Sequence, residues 1–289
     1  MHSIARIEQT LKTALEGAAA AGAPPTLAAA MHDAVFPGGH RIRPHLCLSV
    51  ARACGDGDLQ AAEAAAAAIE LLHCASLVHD DLPCFDNAAT RRGKPSVHAQ
   101  YGAPLGVLTG DALIVLAFET LARGCLRQPH RLGPLVLLVA QSVGAPRGIV
   151  AGQAWECEST VSLRDYQRSK TGSLFIAATV AGATATGCDG AAWSTLGDLL
   201  GEAYQVADDL RDILCDEDEL GKPIGQDAAH RRPNAAAQLG VQGAKNRLET
   251  LVRTAVESIP PCPGADDLRK LLKAQTDLFF PKQLARAAA

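Results

Sequence analysis

The chain has 289 residues, of which 48% are hydrophobic and 20% charged, with a net charge of −4. These proportions fit a globular protein with ample chain for a core, and they exclude a disordered or fibrous class. The acidic balance, with no basic run, argues against a nucleic-acid partner. Nine cysteines stand singly, with no CxxC pair and no zinc-ligand spacing. Singles inside apolar segments, such as Cys47, Cys74 and Cys125, fit reduced core thiols in a cytoplasmic protein. Arg6, Glu8 and Lys12 near the start leave no apolar core for a leader. The longest uncharged stretch, Thr171 to Cys188, is too short and too rich in Ala, Thr and Gly for a membrane span.

Abundant alanine, 4% aromatic residues and no alternating β-branched runs predict helix nearly throughout. Residues 1–22 read as an amphipathic helix with Ile4, Ile7, Leu11 and Leu15 on one face, broken by Pro24 and Pro25. A second helix opens at Pro25-Thr26 and ends near Phe36. Pro37 to Pro44, PGGHRIRP, follows. Two glycines exposing backbone N–H groups, with cations straight after, make an anion-binding composition, although an ordinary Pro-Gly turn with solvated arginines carries the same letters. Pro44 leads a helix to Cys54, and Gly55 to Asp58 is a turn.

Leu59 to Asp81 is a long alanine-rich helix that delivers two acids, Asp80 and Asp81. His73 lies two turns back on the face of Asp80. In a continuing helix Asp86 would point about 120° away from Asp80. The Leu82–Phe85 segment must therefore loop to bring it back, and Pro83 breaks the ladder there. Arg91, Arg92 and Lys94 come next. Carboxylate oxygens suit a hard cation such as Mg²⁺, which shares its ligands with phosphates, and guanidinium forks suit the phosphates themselves.

Ser96 to Gly106 reads as a connector, Leu108 to Gly124 as an apolar helix, and Leu135 to Val143 as a buried one within 131–148. Gly152 to Glu156 is helical. Ser169-Lys170-Thr171-Gly172 puts a cation and a hydroxyl at the head of the uncharged helix, without the glycines of a Walker loop. Residues 193–215 form a second acid-bearing helix. Asp208 and Asp212, four apart, share a face, and their mutual repulsion invites a cation. Leu220 to Asp227 is a turn-rich loop carrying Lys222. Helices follow over Asn234–Leu239 and Val241–Ile259, then a break at Pro260–Gly264 and a last helix from Asp266 to about Phe279. The absence of repeats or a linker, together with two clusters that must meet, predicts an all-α, single-domain bundle of about ten or more helices around a central cavity, spanning 1–289.

Two carboxylate clusters on separate helices, with cations at Arg43, Arg91, Arg92, Lys170 and Lys222, suit two or three Mg²⁺ ions against a diphosphate. Apolar helices behind the acids suit a hydrocarbon tail. On these residues the chain resembles the trans-isoprenyl diphosphate synthases over essentially its whole length. Asp80-Asp81-Leu82-Pro83-Cys84-Phe85-Asp86 resembles that family's first aspartate-rich motif, and Asp208-Asp209-Leu210-Arg211-Asp212 its second. GGHRIRP, RRGKP, KTG, YQVADD and LGKPIGQD stand in the family's order. Within the family the likeness is nearest to bacterial carotenoid-pathway members that make geranylgeranyl diphosphate.

The resemblance implies roles. Asp80, Asp81, Asp86, Asp208, Asp209 and Asp212 would carry or support Mg²⁺, with Mn²⁺ able to substitute. Arg91, Lys170, Thr171, Gln205 and Lys222 would contact an allylic diphosphate. Gly39, His40, Arg43, His73 and Arg92 would hold isopentenyl diphosphate. Asp80, Asp81, Lys170 and Asp208 would be central to catalysis, and a homodimer would be the assembly. The family usually has lysine at His40, so isopentenyl diphosphate binding is expected to be weaker or pH-dependent here; Tyr204 for a common phenylalanine is a milder change. Ala75 and Ser76 are small. An aromatic at either would block the tail early, so an open tunnel and a C20 product are expected, with a C15 product as the alternative. No NDxxSxxxE motif supports a class I terpene cyclase. A non-catalytic partner subunit has only His40 in its favour.

Overall fold

A computed structural model of the chain describes residues 2–55, 59–160, 162–214 and 235–279. It is built almost wholly of helices and falls into two compact units, Met1–Ala140 with Val180–Gly190, and Gln141–Thr179 with Ala191–Ala289.

The first unit is organised around helix α4 (Gln60–Asp80), which packs against α1 (His2–Ala18), α2 (Pro25–Val35), α3 (Ile42–Cys54) and α6 (Ala103–Gly124). Its first half is nearly all alanine, and Ala61, Ala62 and Ala64 to Ala68 are buried. Methyl side chains favour the helix and let neighbours approach closely. Farther along, Ile69, Leu71 and Leu72 are buried to within 1% of full, and each contributes about 2 kcal/mol of transfer free energy. On α1, Ile7, Leu11 and Leu15 are buried but Ile4 is 46% exposed. The face turns instead through Ser3, whose hydroxyl accepts from Arg52.

The expected connector between Ser96 and Gly106 is more structured than its letters suggest. It holds a short helix, α5 (Val97–Tyr101), and α6 already begins at Ala103, with Pro104 in its first turn. Helix α7 (Leu132–Val143) was expected to be buried. Only one stripe of it is, at Leu135, Val139 and Ser142, while Leu137 is 59% exposed. Continuous apolar sequence does not by itself say how many sides a helix buries.

Helices α4 and α6 are long and apolar enough to cross a membrane by length and composition. Most of α4 lies buried in the protein, however, with Glu70 paired to Arg41 at its middle. The outer face of α6 carries Asp111, Glu119 and Arg123.

The second unit contains α8 (Ile149–Ala154), α9 (Leu163–Gln167), the acid-bearing α11 (Ser194–Leu214), then α12 (Ala235–Glu257) and α13 (Ala265–Phe279). Helix α10 (Ser173–Thr186) is preceded by a wider π turn over Arg168–Gly172 and contributes its first half to this unit. Ala203, Val206, Ala207 and Leu210 of α11 form a core with Ala244, Leu248, Leu251 and Val252 of α12. The Phe175 and Tyr204 rings meet at 5.3 Å between centroids. Helix α12 breaks at Gly240 (φ 70°, ψ 163°), between the two helices expected there.

Candidate functional site

Helix α4 ends at Asp80, and the chain turns back on that end as the acid spacing requires. The Asp86 amide donates to the Asp80 carbonyl at 3.0 Å and the Ala88 amide to the Asp81 carbonyl at 3.1 Å, while Phe85 and Asn87 both donate to Leu82. Backbone hydrogen bonds thus bring Asp86 beside the helix end, satisfying carbonyls a helix terminus leaves over.

A two-stranded hairpin follows, Thr90–Arg91 paired with Lys94–Pro95. Its turn residues, Arg92 (φ 53°) and Gly93 (φ 73°), both have positive φ, as a tight two-residue hairpin requires. The hairpin escaped the sequence reading; an X-Gly pair between two residues able to extend was its one local signal. It faces Arg91 toward the acids. Arg91 Nε donates to Asp81 Oδ1 at 3.0 Å, and its Nη2 donates to the same oxygen. Burial pushes the Asp81 carboxyl above its ordinary range, and the Arg91 guanidinium pulls it back. Burial would lower Arg91, but Asp81, then Asp80 and Asp86, more than reverse this, so Arg91 is held charged.

The Pro37–Arg41 loop and the first turn of α3, with Arg43, lie beside the same helix. Gly38 rests on the Arg41 guanidinium and Gly39 on that of Arg92; a Cβ on Gly38 would overlap Arg41, and one on Gly39 would lie 3.2 Å from Arg92 Nη2. His40 is exposed and Arg43 half-buried. His73 is held neutral, well below its usual range, by burial first and then by Arg43, Arg92, Arg91 and Arg41. Gly39, Arg43, His73 and Arg92 are therefore gathered around one concentration of positive charge, suited to a polyanion. A small cavity opens behind it between α2, α4 and the hairpin, lined in part by Asp33, Cys74, Asp81, Arg91, Arg92 and Ser96. Burial pushes the Cys74 thiol up to about 12, so it stays protonated. Ala75 is buried, and Ser76 donates to the His73 carbonyl at 2.8 Å.

In the second unit Lys170 Nζ donates to Glu156 Oε1 at 2.6 Å, and Tyr166 Oη donates to the same oxygen at 2.6 Å. Glu156 had no role from sequence alone, because its partners stand ten and fourteen residues away. Gly152 lets the backbone of Lys170 press directly against α8; a Cβ there would overlap it. Thr171 Oγ1 donates to Gln205 Oε1 at 2.9 Å, and Gln205 Nε2 donates to Asp209 Oδ1 at 2.9 Å. Lys170, Thr171, Gln205 and Asp209 are thus brought together locally. Asp208 and Asp212 sit half-buried on the same helix. Lys222 lies outside the described residues.

Among the described residues, no three acids, histidines or cysteines converge as a ready-made metal cage. The carboxylate-only donor set at Asp80, Asp81 and Asp86 fits Mg²⁺, which keeps waters and completes its shell with phosphate oxygens.

Residues 24–263 match the polyprenyl synthetase family model. The chain is 53% identical over 280 residues to the geranylgeranyl diphosphate synthase of Cereibacter sphaeroides, covering 97% of each. It is 51% identical to that of Rhodobacter capsulatus, covering 93% of each. A crystal structure of a geranyltransferase from Helicobacter pylori, complexed with magnesium and isoprenyl diphosphate, superposes with a TM-score of 0.78 at 29% identity, covering 95% of this chain and 97% of that one.

Proposed function

The chain belongs to the polyprenyl synthetase family, and from that premise we propose that it is a prenyltransferase joining isopentenyl diphosphate head to tail to allylic diphosphates, with geranylgeranyl diphosphate (C20) as its product. One observation carries the reading. At the end of α4, Arg91 pairs with Asp81 and is held charged by Asp81, then Asp80 and Asp86, so carboxylates for a cation lie near a fork for a phosphate.

Asp80, Asp81 and Asp86 of the first unit would hold Mg²⁺, Asp208, Asp209 and Asp212 of the second unit would do the same, two or three ions would be bound in all, and Mn²⁺ would be able to substitute. When bound, the metal polarises diphosphate oxygens and offsets charge on the departing diphosphate. Arg91, Lys170, Thr171, Gln205 and Lys222 bind the allylic diphosphate. Gly39, His40, Arg43, His73 and Arg92 bind isopentenyl diphosphate. The neutral His73 contributes an N–H donor rather than a charge. Attack of the isopentenyl double bond on the allylic carbon is followed by proton loss to the departing diphosphate. Helix geometry puts Ser76 about 40° from Asp80 and Ala75 about 140° round, so Ser76 faces the side from which the tail runs. We read the chain as one domain acting as a cytoplasmic homodimer.

Product analysis from C5, C10 and C15 primers with isopentenyl diphosphate and Mg²⁺ tests this. A C20 diphosphate is expected from all three, and Ser76→Phe should shift it to C15. A C15 product from the unaltered chain would favour the shorter synthase. Free hydrocarbon, or no turnover by the isolated chain, would sink the reading in favour of a cyclase or a partner subunit.

A further inference from the structure

Arg41 and Arg43 stand two apart at the start of α3, yet Arg41 is buried and Arg43 half-buried. The Arg41 side chain is 2% exposed. Its Nε donates to Glu8 Oε1 of α1 at 2.8 Å, its Nη1 to Glu70 Oε1 of α4 at 2.6 Å, and its Nη2 to the Val35 carbonyl at the end of α2 at 2.8 Å. The guanidinium also lies 5.5 Å from the Phe36 ring centroid, under Gly38. Its own backbone is left-handed (φ 49°, ψ 36°) at the start of α3, a region a side-chain-bearing residue seldom occupies. Burying Arg41 and Glu70, with Glu8 only partly covered, returns little net stability compared with an apolar cluster of the same volume. What the planar fork does provide is fixed direction to three helices at once.

We propose that Glu70 and Glu8 are positioning residues, holding the Pro37–Arg41 loop and the start of α3 through Arg41 in the shape that receives isopentenyl diphosphate. The proposal rests on the reading of that loop given under Proposed function. Glu70 lies one helical turn before His73, so the fork ties the loop to the helix that carries the loop's histidine neighbour. Gly38 and Gly39 are then packed against the Arg41 and Arg92 guanidinium groups respectively. Release of the fork leaves Gly38 and Gly39, the two least restrained residues of the loop, free to sample other backbone states.

Steady-state kinetics with each substrate varied in turn test the assignment. Glu70→Gln keeps shape and one acceptor but removes the charge. It should raise the KM for isopentenyl diphosphate about tenfold, because small misplacements of a binding element are amplified in this way. The KM for farnesyl diphosphate and kcat should stay within about twofold. Glu8→Gln, at the more exposed partner, should move the same KM in the same direction by about threefold, and it carries the test if Glu70→Gln does not fold. Equal rises in both KM values, or a lowered Tm with an unchanged isopentenyl diphosphate KM, would overturn the positioning role. Arg43→Ala separates the two levels. If it raises that KM and the glutamate variants do not, the positioning role fails alone. If it leaves that KM unchanged, the reading of the loop fails and the proposal with it.

Discussion

The two acid-bearing regions present their carboxylates by different local routes. Around Asp80 the helix has to stop, fold back through Leu82–Phe85, and present a hairpin, so the acids depend on backbone bonds from Asp86 and Ala88 and on a guanidinium from Arg91. Around Asp208 the helix simply continues, and the i, i+4 spacing aligns Asp208 with Asp212 without any special backbone. The buried acid in each region is held differently as well: Asp81 by a charged fork, Asp209 by the neutral amide of Gln205.

The largest effects should come from the acids themselves. Asp80→Asn and Asp208→Asn should each lower kcat on the order of a thousandfold, by analogy with the loss of a preorganised charge-stabilising group. Turnover of radiolabelled isopentenyl diphosphate at saturating Mg²⁺ measures this. If one variant kept near-normal turnover, the two regions would not share the chemistry.

Next comes the difference in how the acids are held. Arg91→Ala leaves a buried carboxylate without its cation and should cost about 3 kcal/mol of stability. Gln205→Ala removes one amide bond from Asp209 and should cost about 1 kcal/mol. Denaturant midpoints of the two variants, compared side by side, break the contrast if their order is reversed.

A smaller effect is expected from pH. The folded state holds His73 neutral, below its unfolded pKa of about 6.5. Above that value the unfolded imidazole is neutral too, and nothing is lost. As pH falls below it, the unfolded state takes up a proton that the folded state resists, so stability declines. His45, lowered by burial and then Arg52, adds to the same slope. Unfolding free energies between pH 7 and 5 should fall less steeply in His73→Gln, and an unchanged slope would place the effect elsewhere. The smallest change is His40→Lys. It adds a cation to the exposed end of the loop and should lower the isopentenyl diphosphate KM about threefold, with a steeper salt dependence.

Much of this architecture was legible in the letters. Alanine bias and proline breaks located nearly every long helix, and the need to bring Asp86 back to Asp80 predicted a loop where one stands. What escaped was structure with little local signature. Helix α5 has five residues, too few to show a period, and each hairpin strand has two. On α1, Ile4 was assigned to the buried face, but the 7, 11, 15 spacing drifts so that Ser3 turns inward instead. The buried fork was invisible because Arg41 meets Glu8 and Glu70 across 33 and 29 residues, and charge in a loop ordinarily reads as solvated. Within the site, the residues on one helix or one turn were found together. Glu156, defined only by the side chains it receives, was not.

Each acid region is proposed to serve Mg²⁺-dependent binding of an allylic diphosphate. Calorimetric binding of a non-reactive farnesyl diphosphate analogue, with and without Mg²⁺, tests it in the unaltered chain, Asp80→Asn and Asp208→Asn. The account predicts that each substitution alone removes the Mg²⁺-dependent part of the affinity while binding of isopentenyl diphosphate is preserved. Full Mg²⁺-dependent affinity in either variant would contradict it.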